Sequence, residues 1–141
     1  MKEQVLRDYF DNNLTIDILV VDVKGSQKKT GHDVISVNVD KIAESGEYEI
    51  KREHLLRLCE ETISGRLTTT DLNTIAFALV FSDYFTWNRE GETEDGQIVD
   101  TIIQDWDNPE IGYPLTMDNL FKWRVYLQTG QYNFSRKDLK Q

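Results

Sequence analysis

A chain of 141 residues, 39% apolar and 29% charged, is long enough for one self-sufficient domain and too apolar for a disordered one. The one cysteine, Cys59, excludes an internal disulfide and points to a reducing, cytoplasmic setting. The net charge of −9 excludes a general nucleic-acid or anionic-membrane binder, because a field of that sign repels phosphates.

Residues 1–51 read as the β-rich part. Val5, Leu6, Tyr9 and Phe10 have helical spacing, which predicts a short helix within residues 1–13. Residues 14–24 are rich in β-branched side chains, and Ile16, Ile18 and Val20 alternate with Asp17, Leu19 and Val21, which predicts a strand. Residues 25–33, from Gly25 to Asp33, are turn material with a basic tip. Residues 34–40 alternate again through Ile35, Val37 and Val39, so the two runs predict an antiparallel hairpin. Residues 47–51 could supply a third strand.

From Arg52 to Gly130 the period becomes helical. Leu55, Leu58, Cys59 and Ile63 form one face, and Gly65 stops that helix. Thr68 or Thr70 caps a second helix reaching about Asp83, apolar nearly all round through Leu72, Ile75, Leu79 and Phe81. Ile98, Ile102, Ile103 and Trp106 mark a third helix. Thr116 caps a fourth, with Met117, Leu120, Phe121 and Leu127 facing inward. Residues 131–141 form a polar tail, of which residues 135–141 are expected to fray. The fold expectation is therefore a single α+β domain: an N-terminal hairpin or three-stranded sheet packed on a C-terminal four-helix part.

The sequence offers little for catalysis. His54 lies five residues before Cys59, more than one helical turn, so the two diverge and Cys59 reads as a buried structural thiol. His32 sits alone in the basic turn. No Cys-x-x-Cys or His-Glu-x-x-His spacing marks a zinc site, and no glycine-rich loop is placed to cradle phosphate. Residues 90–96 match a calcium loop in composition only, lacking its alternating ligands and closing glutamate. No cofactor and no metal are expected. The longest apolar runs, Ile18 to Val21 and Ile75 to Phe81, are far too short to span a membrane, and residues 1–4 lead into no secretory signal.

Residues 83–110 hold nine acidic side chains against Arg89 alone, a net −8 of the chain's −9. Such a run attracts basic proteins or cations. Aromatic residues flank it, and Trp and Tyr are the commonest interface anchors. Trp87 is the candidate for a partly exposed anchor, whereas Trp106 reads as core. The expected binding set is Asp83, Trp87, Glu90, Glu92, Glu94, Asp95, Asp100, Asp107 and Glu110.

Four strings in the helical part carry a resemblance: Ile63-Ser64-Gly65-Arg66-Leu67, Ile75-Ala76-Phe77-Ala78-Leu79, Ser82-Asp83-Tyr84-Phe85-Thr86-Trp87, and residues 108–116 from Asn108-Pro109 to Leu115-Thr116. Together they resemble small acidic immunity proteins of bacterial toxin systems, such as contact-dependent inhibition. The resemblance implies a cytoplasmic, non-enzymatic antitoxin that binds and neutralises a cognate basic toxin, frequently a nuclease. It covers a little over half the chain and assigns no individual residue. A free monomer is expected. The competing expectations are an adaptor or subunit with a permanent interface, and a small carboxylate- or metal-dependent hydrolase.

Overall fold

The computed structural model describes residues 1–31, 34–89 and 92–139. Its secondary structure is dominated by six α-helices: α1 Glu3–Phe10, α2 Ile16–Ser26, α3 Arg52–Ile63, α4 Thr69–Val80, α5 Glu94–Asp107 and α6 Met117–Thr129. Strands are short: β1 Gln27–Gly31 and β2 Val34–Val37 pair antiparallel, and β3 Tyr48–Glu49 and β4 Phe85–Thr86 pair parallel. A sheet packed on a four-helix part, the expected α+β arrangement, is therefore wrong. The protein is a helical assembly trimmed by two small ladders.

The correction turns on α2. Its residues alternate in hydropathy, but Leu19, Val23 and Ser26 are buried at helical spacing, with Ile16 and Val20 half-buried beside them. Ile18 and Val21, expected to lie in a strand, are 48% and 72% exposed. One run of β-branched residues satisfied both periods, and packing against α1 and α4 selected the helix over local β preference. The chain then enters β1 within residues expected to form the turn, so the expected hairpin is displaced as well. The expected third strand shrinks to two residues of β3, whose partner β4 comes from the other half of the chain.

Turn chemistry fixes the helix ends. Asn12 follows α1 at φ 63°, a left-handed position that asparagine tolerates. Gly65 at φ 87° ends α3, with Arg66 and Leu67 amides donating back to Glu61 carbonyl at 3.0 and 3.1 Å. Thr68 and Asp71 form a reciprocal capping box at the start of α4: Asp71 amide donates to Thr68 Oγ1 at 3.0 Å, and Thr68 amide to Asp71 Oδ2 at 3.1 Å. Thr93 and Thr116 cap α5 and α6, and Gly130 at φ 81° closes α6.

Within the helical part α3 packs on α6 and α4 on α5, while α1 and α2 pack together and reach α4. The buried apolar residues form one continuous cluster from Met1 to Leu127. Trp106 and Trp123 lie at its centre, ring centroids 6.3 Å apart and edge to face. On α6 the inward face is Leu120, Trp123, Tyr126 and Leu127, whereas Met117 and Phe121, expected in the core, are 48% and 40% exposed. The tail is tied down as far as Asp138. Phe134 packs on Tyr113, Trp123 and Tyr132, and Asp138 pairs with Lys122 while accepting from the Ser135 amide. None of the helices described is long and apolar enough to cross a membrane.

Candidate functional site

The acidic segment begins where β4 leaves the core. Ser82 Oγ accepts from the amides of Tyr84 and Phe85, both at 3.0 Å, and turns the chain inward. Trp87 follows. Its ring is 6% exposed, its indole N–H donates to Asp100 Oδ1 at 3.0 Å, and the Arg89 guanidinium lies 4.3 Å from its ring centroid. The expected partly exposed anchor is thus a core residue covered by its own neighbour. Beyond the loop, Gly96 meets Asn88 so closely that a Cβ at position 96 would stand 2.7 Å from Asn88 Cβ. The loop is therefore pinned at both ends, by Trp87 and by the Asn88–Gly96 contact.

The acids of this segment have unlike fates. Asp100 and Asp105 serve the interior: Asp105 Oδ2 accepts from Trp123 Nε1 at 3.0 Å and from Tyr132 Oη at 2.6 Å. Burial raises the Asp105 carboxyl above the ordinary range, although those two hydrogen bonds oppose the shift. Asp83 approaches Lys41 at 3.9 Å, and Asp95 pairs with Arg52 at 2.8 Å. Glu92, Glu94 and Glu110 are exposed and have no side-chain partner among the described residues. Glu90 lies outside the described residues. The expected set is also spread out: Glu92, Glu94 and Asp95 stand at the start of α5, and Asp107 and Glu110 stand at its far end. At 1.5 Å per residue, a helix of 14 residues separates them by about 20 Å, so residues 83–110 do not make one face.

The two ends differ electrostatically. Glu94 and Asp95 sit in the first turn of α5, where the helix dipole favours them. Asp107 sits in the last turn, where it does not, and no basic residue accompanies it there. Burial, then Glu110, push its carboxyl above the ordinary value. A raised native value means that stability is fully present below the unfolded pKa and is lost as pH rises through the native one. Asp107→Asn should therefore raise the denaturation midpoint at pH 7, by about 0.3 kcal/mol, a small gain because solvent screens a group only half-buried. The gain should disappear near pH 3, which a pH series of urea melts would read.

What the structure adds is a groove of about 1000 Å³ between the starts of α3 and α5. Its floor is Ile50, Trp87, Val99 and Leu127, all buried, with the half-buried Leu56. Its rim carries Glu94 and Asp95 from the acidic segment and, from the other side, Glu49 and Glu53. Lys51 and Arg52 lie there too. Arg52 is spent internally, its Nε and Nη2 donating to Leu127 carbonyl at 3.0 and 2.8 Å and its Nη1 to Asp95. It thus satisfies a terminal carbonyl of α6 while tying it to the start of α5. Glu49, Glu53 and Glu94 have no side-chain partner among the described residues. Sequence reasoning missed Glu49 and Glu53 because some 40 residues separate them from the acidic loop, and no local pattern joins them to it.

Cys59 is fully buried, 3.4 Å from Leu120 carbonyl, and burial pushes its thiol up to about 12. A thiol in that state is a poor nucleophile. We expect slow labelling by a thiol reagent in the native protein, and a cost of about 1 kcal/mol for Cys59→Ala. Fast native-state labelling would contradict this placement. His54 turns away from it: His54 Nδ1 accepts from Lys51 amide at 2.9 Å, its ring lies 4.8 Å from Phe10, and burial lowers its pKa. His32 lies outside the described residues. Among the described residues no group of three or more histidine, cysteine or acidic side chains is arranged to hold a metal ion. No protein-family model, curated protein or solved structure matches the chain.

Proposed function

We propose that this protein is an immunity protein: a cytoplasmic, non-catalytic antitoxin that binds a basic bacterial toxin, such as a nuclease, and blocks it. The observation that carries the reading is the set of carboxylates, unpaired among the described residues, gathered at one end of α5. Glu92 comes from the acidic loop, Glu94 from the first turn of α5, and Glu49 and Glu53 from across the groove, while Asp95 is already paired with Arg52. Like charges held together repel one another and weaken the isolated fold, so a positive partner gives them a use. On a nuclease, carboxylates can occupy the places that substrate phosphates would take. The sign of the field also disfavours direct contact with nucleic acid or an anionic membrane.

The test is a pull-down from the native host, followed by association kinetics with the basic protein captured and an assay of that protein's activity. Association should slow markedly between 0.1 M and 1 M salt, as the screening length falls from about 10 Å to about 3 Å. Glu92→Lys with Glu94→Lys should mainly lower the association rate, because exposed charges steer encounter more than they hold the complex. A partner whose association ignores salt and the double reversal, or whose activity survives saturation, would remove this reading.

A further inference from the structure

The groove between α3 and α5 has the features of a cleft for an extended basic segment, and we propose that a lysine- or arginine-bearing linear stretch of the partner lies in it. This rests on the reading of the protein as a binder of a basic protein, and it names where and how contact is made. A volume of about 1000 Å³ suits several side chains and is at the upper end for a pocket that encloses a ligand. The floor of Ile50, Leu56, Val99 and Leu127 is apolar and suits the methylene stems of lysine and arginine, whose charged heads reach outward. Around that floor stand Glu49 from β3, Glu53 from the start of α3 and Glu94 from the start of α5, none with a side-chain partner among the described residues. The charges left over complement such a segment: Arg52 and Asp95 cancel each other, and Lys51 offsets one of the three free glutamates. A basic side chain entering the groove would meet a net excess of carboxylates left after Arg52 and Lys51 are counted among the described residues. An acidic or purely apolar segment would leave them unpaired and desolvated, which is costly.

A fluorescein-labelled deca-arginine peptide, with a glycine-serine peptide of equal length as control, tests this by fluorescence anisotropy at 0.1 M salt. Because any acidic protein attracts such a peptide to some degree, the comparison lies between two variants of equal charge. Glu49→Gln with Glu53→Gln changes the groove. Glu44→Gln with Glu60→Gln removes two exposed acids that line no part of it. The groove pair should weaken binding at least tenfold, and the distant pair less than twofold. Amide shifts on titration of the unaltered protein should concentrate in residues 49–56 and 93–99, a readout that needs no variant to fold. Equal loss in the two pairs, or shifts spread over the whole surface, would show a diffuse field and overturn the groove. That result would leave the antitoxin reading standing, since the pull-down and the activity assay decide it without the peptide.

Discussion

Replacing Trp87 with alanine should cost about 3–5 kcal/mol, enough to unfold much of a domain whose whole stability is of the order of 5–15 kcal/mol. The ring is 6% exposed and belongs to the core cluster, so its removal leaves a cavity that the surrounding helices cannot close. The loss of the hydrogen bond to Asp100 adds to that. Trp87→Phe should fall well short of this loss, because most of the apolar contact is kept and the half-buried Asp100 can turn to water. Denaturant melts of the two variants would measure the difference. A midpoint unchanged in the alanine variant would mean that the ring packs on nothing. The consequence for function is direct: Trp87→Ala cannot serve as a clean probe of partner binding, since any loss of affinity would mix recognition with unfolding.

Asp71→Ala should be the next most damaging change, at about 2–4 kcal/mol. Its carboxylate is fully buried and collects donors from three parts of the chain: Lys24 Nζ at 3.0 Å, Gln27 Nε2 at 3.0 Å, and the Thr68 amide that it caps. It therefore ties the end of α2 and the start of β1 to the start of α4. Burial disfavours its charge, but the hydrogen bonds from the Thr68 backbone, Lys24 and Gln27 outweigh that and hold the carboxyl below the ordinary value. A lowered native value means that the stability it supplies is present above the unfolded pKa, near 4, and is lost as pH falls through the native one. The unaltered protein should thus lose this contribution below pH 4, and Asp71→Ala should lack that part of the acid transition. Asp71→Asn should fall between the two, retaining the caps without the charge. An acid transition of the same size in the alanine variant would show that the carboxylate does not hold α2 in place.

The helical half was legible because each of its signals is local. Leu55, Leu58 and Cys59 share one face of α3, Thr68 and Thr116 are positioned to cap, and Gly65 and Gly130 adopt the left-handed turns that end helices. Those features depend on residues within a turn or two of one another. The N-terminal third was misread because its signal is degenerate. In residues 16–26 the period-two pattern and the helical set of Leu19, Val20 and Val23 coexist, and β-branching tilts the local choice toward a strand. Only the presence of α1 and α4, with Asp71 waiting for Lys24 and Gln27, decides for the helix.

The acidic segment divides along the same line. Its charge, its glycines and its neighbouring aromatics can be counted in the sequence, and they fix that residues 83–110 carry an excess of negative charge whatever the fold. Which of those charges remain for a partner was decided in three dimensions. Trp87 and Trp123 are large enough to be buried, their indole N–H groups then require acceptors, and Asp100 and Asp105 on α5 supply them. Arg52 claims Asp95 because α3 and α5 start side by side, and the same juxtaposition brings Glu49, Glu53 and Glu94 to one groove. Charge content is a property of the chain, whereas the pairing of charges depends on distances that exist only once the helices have packed.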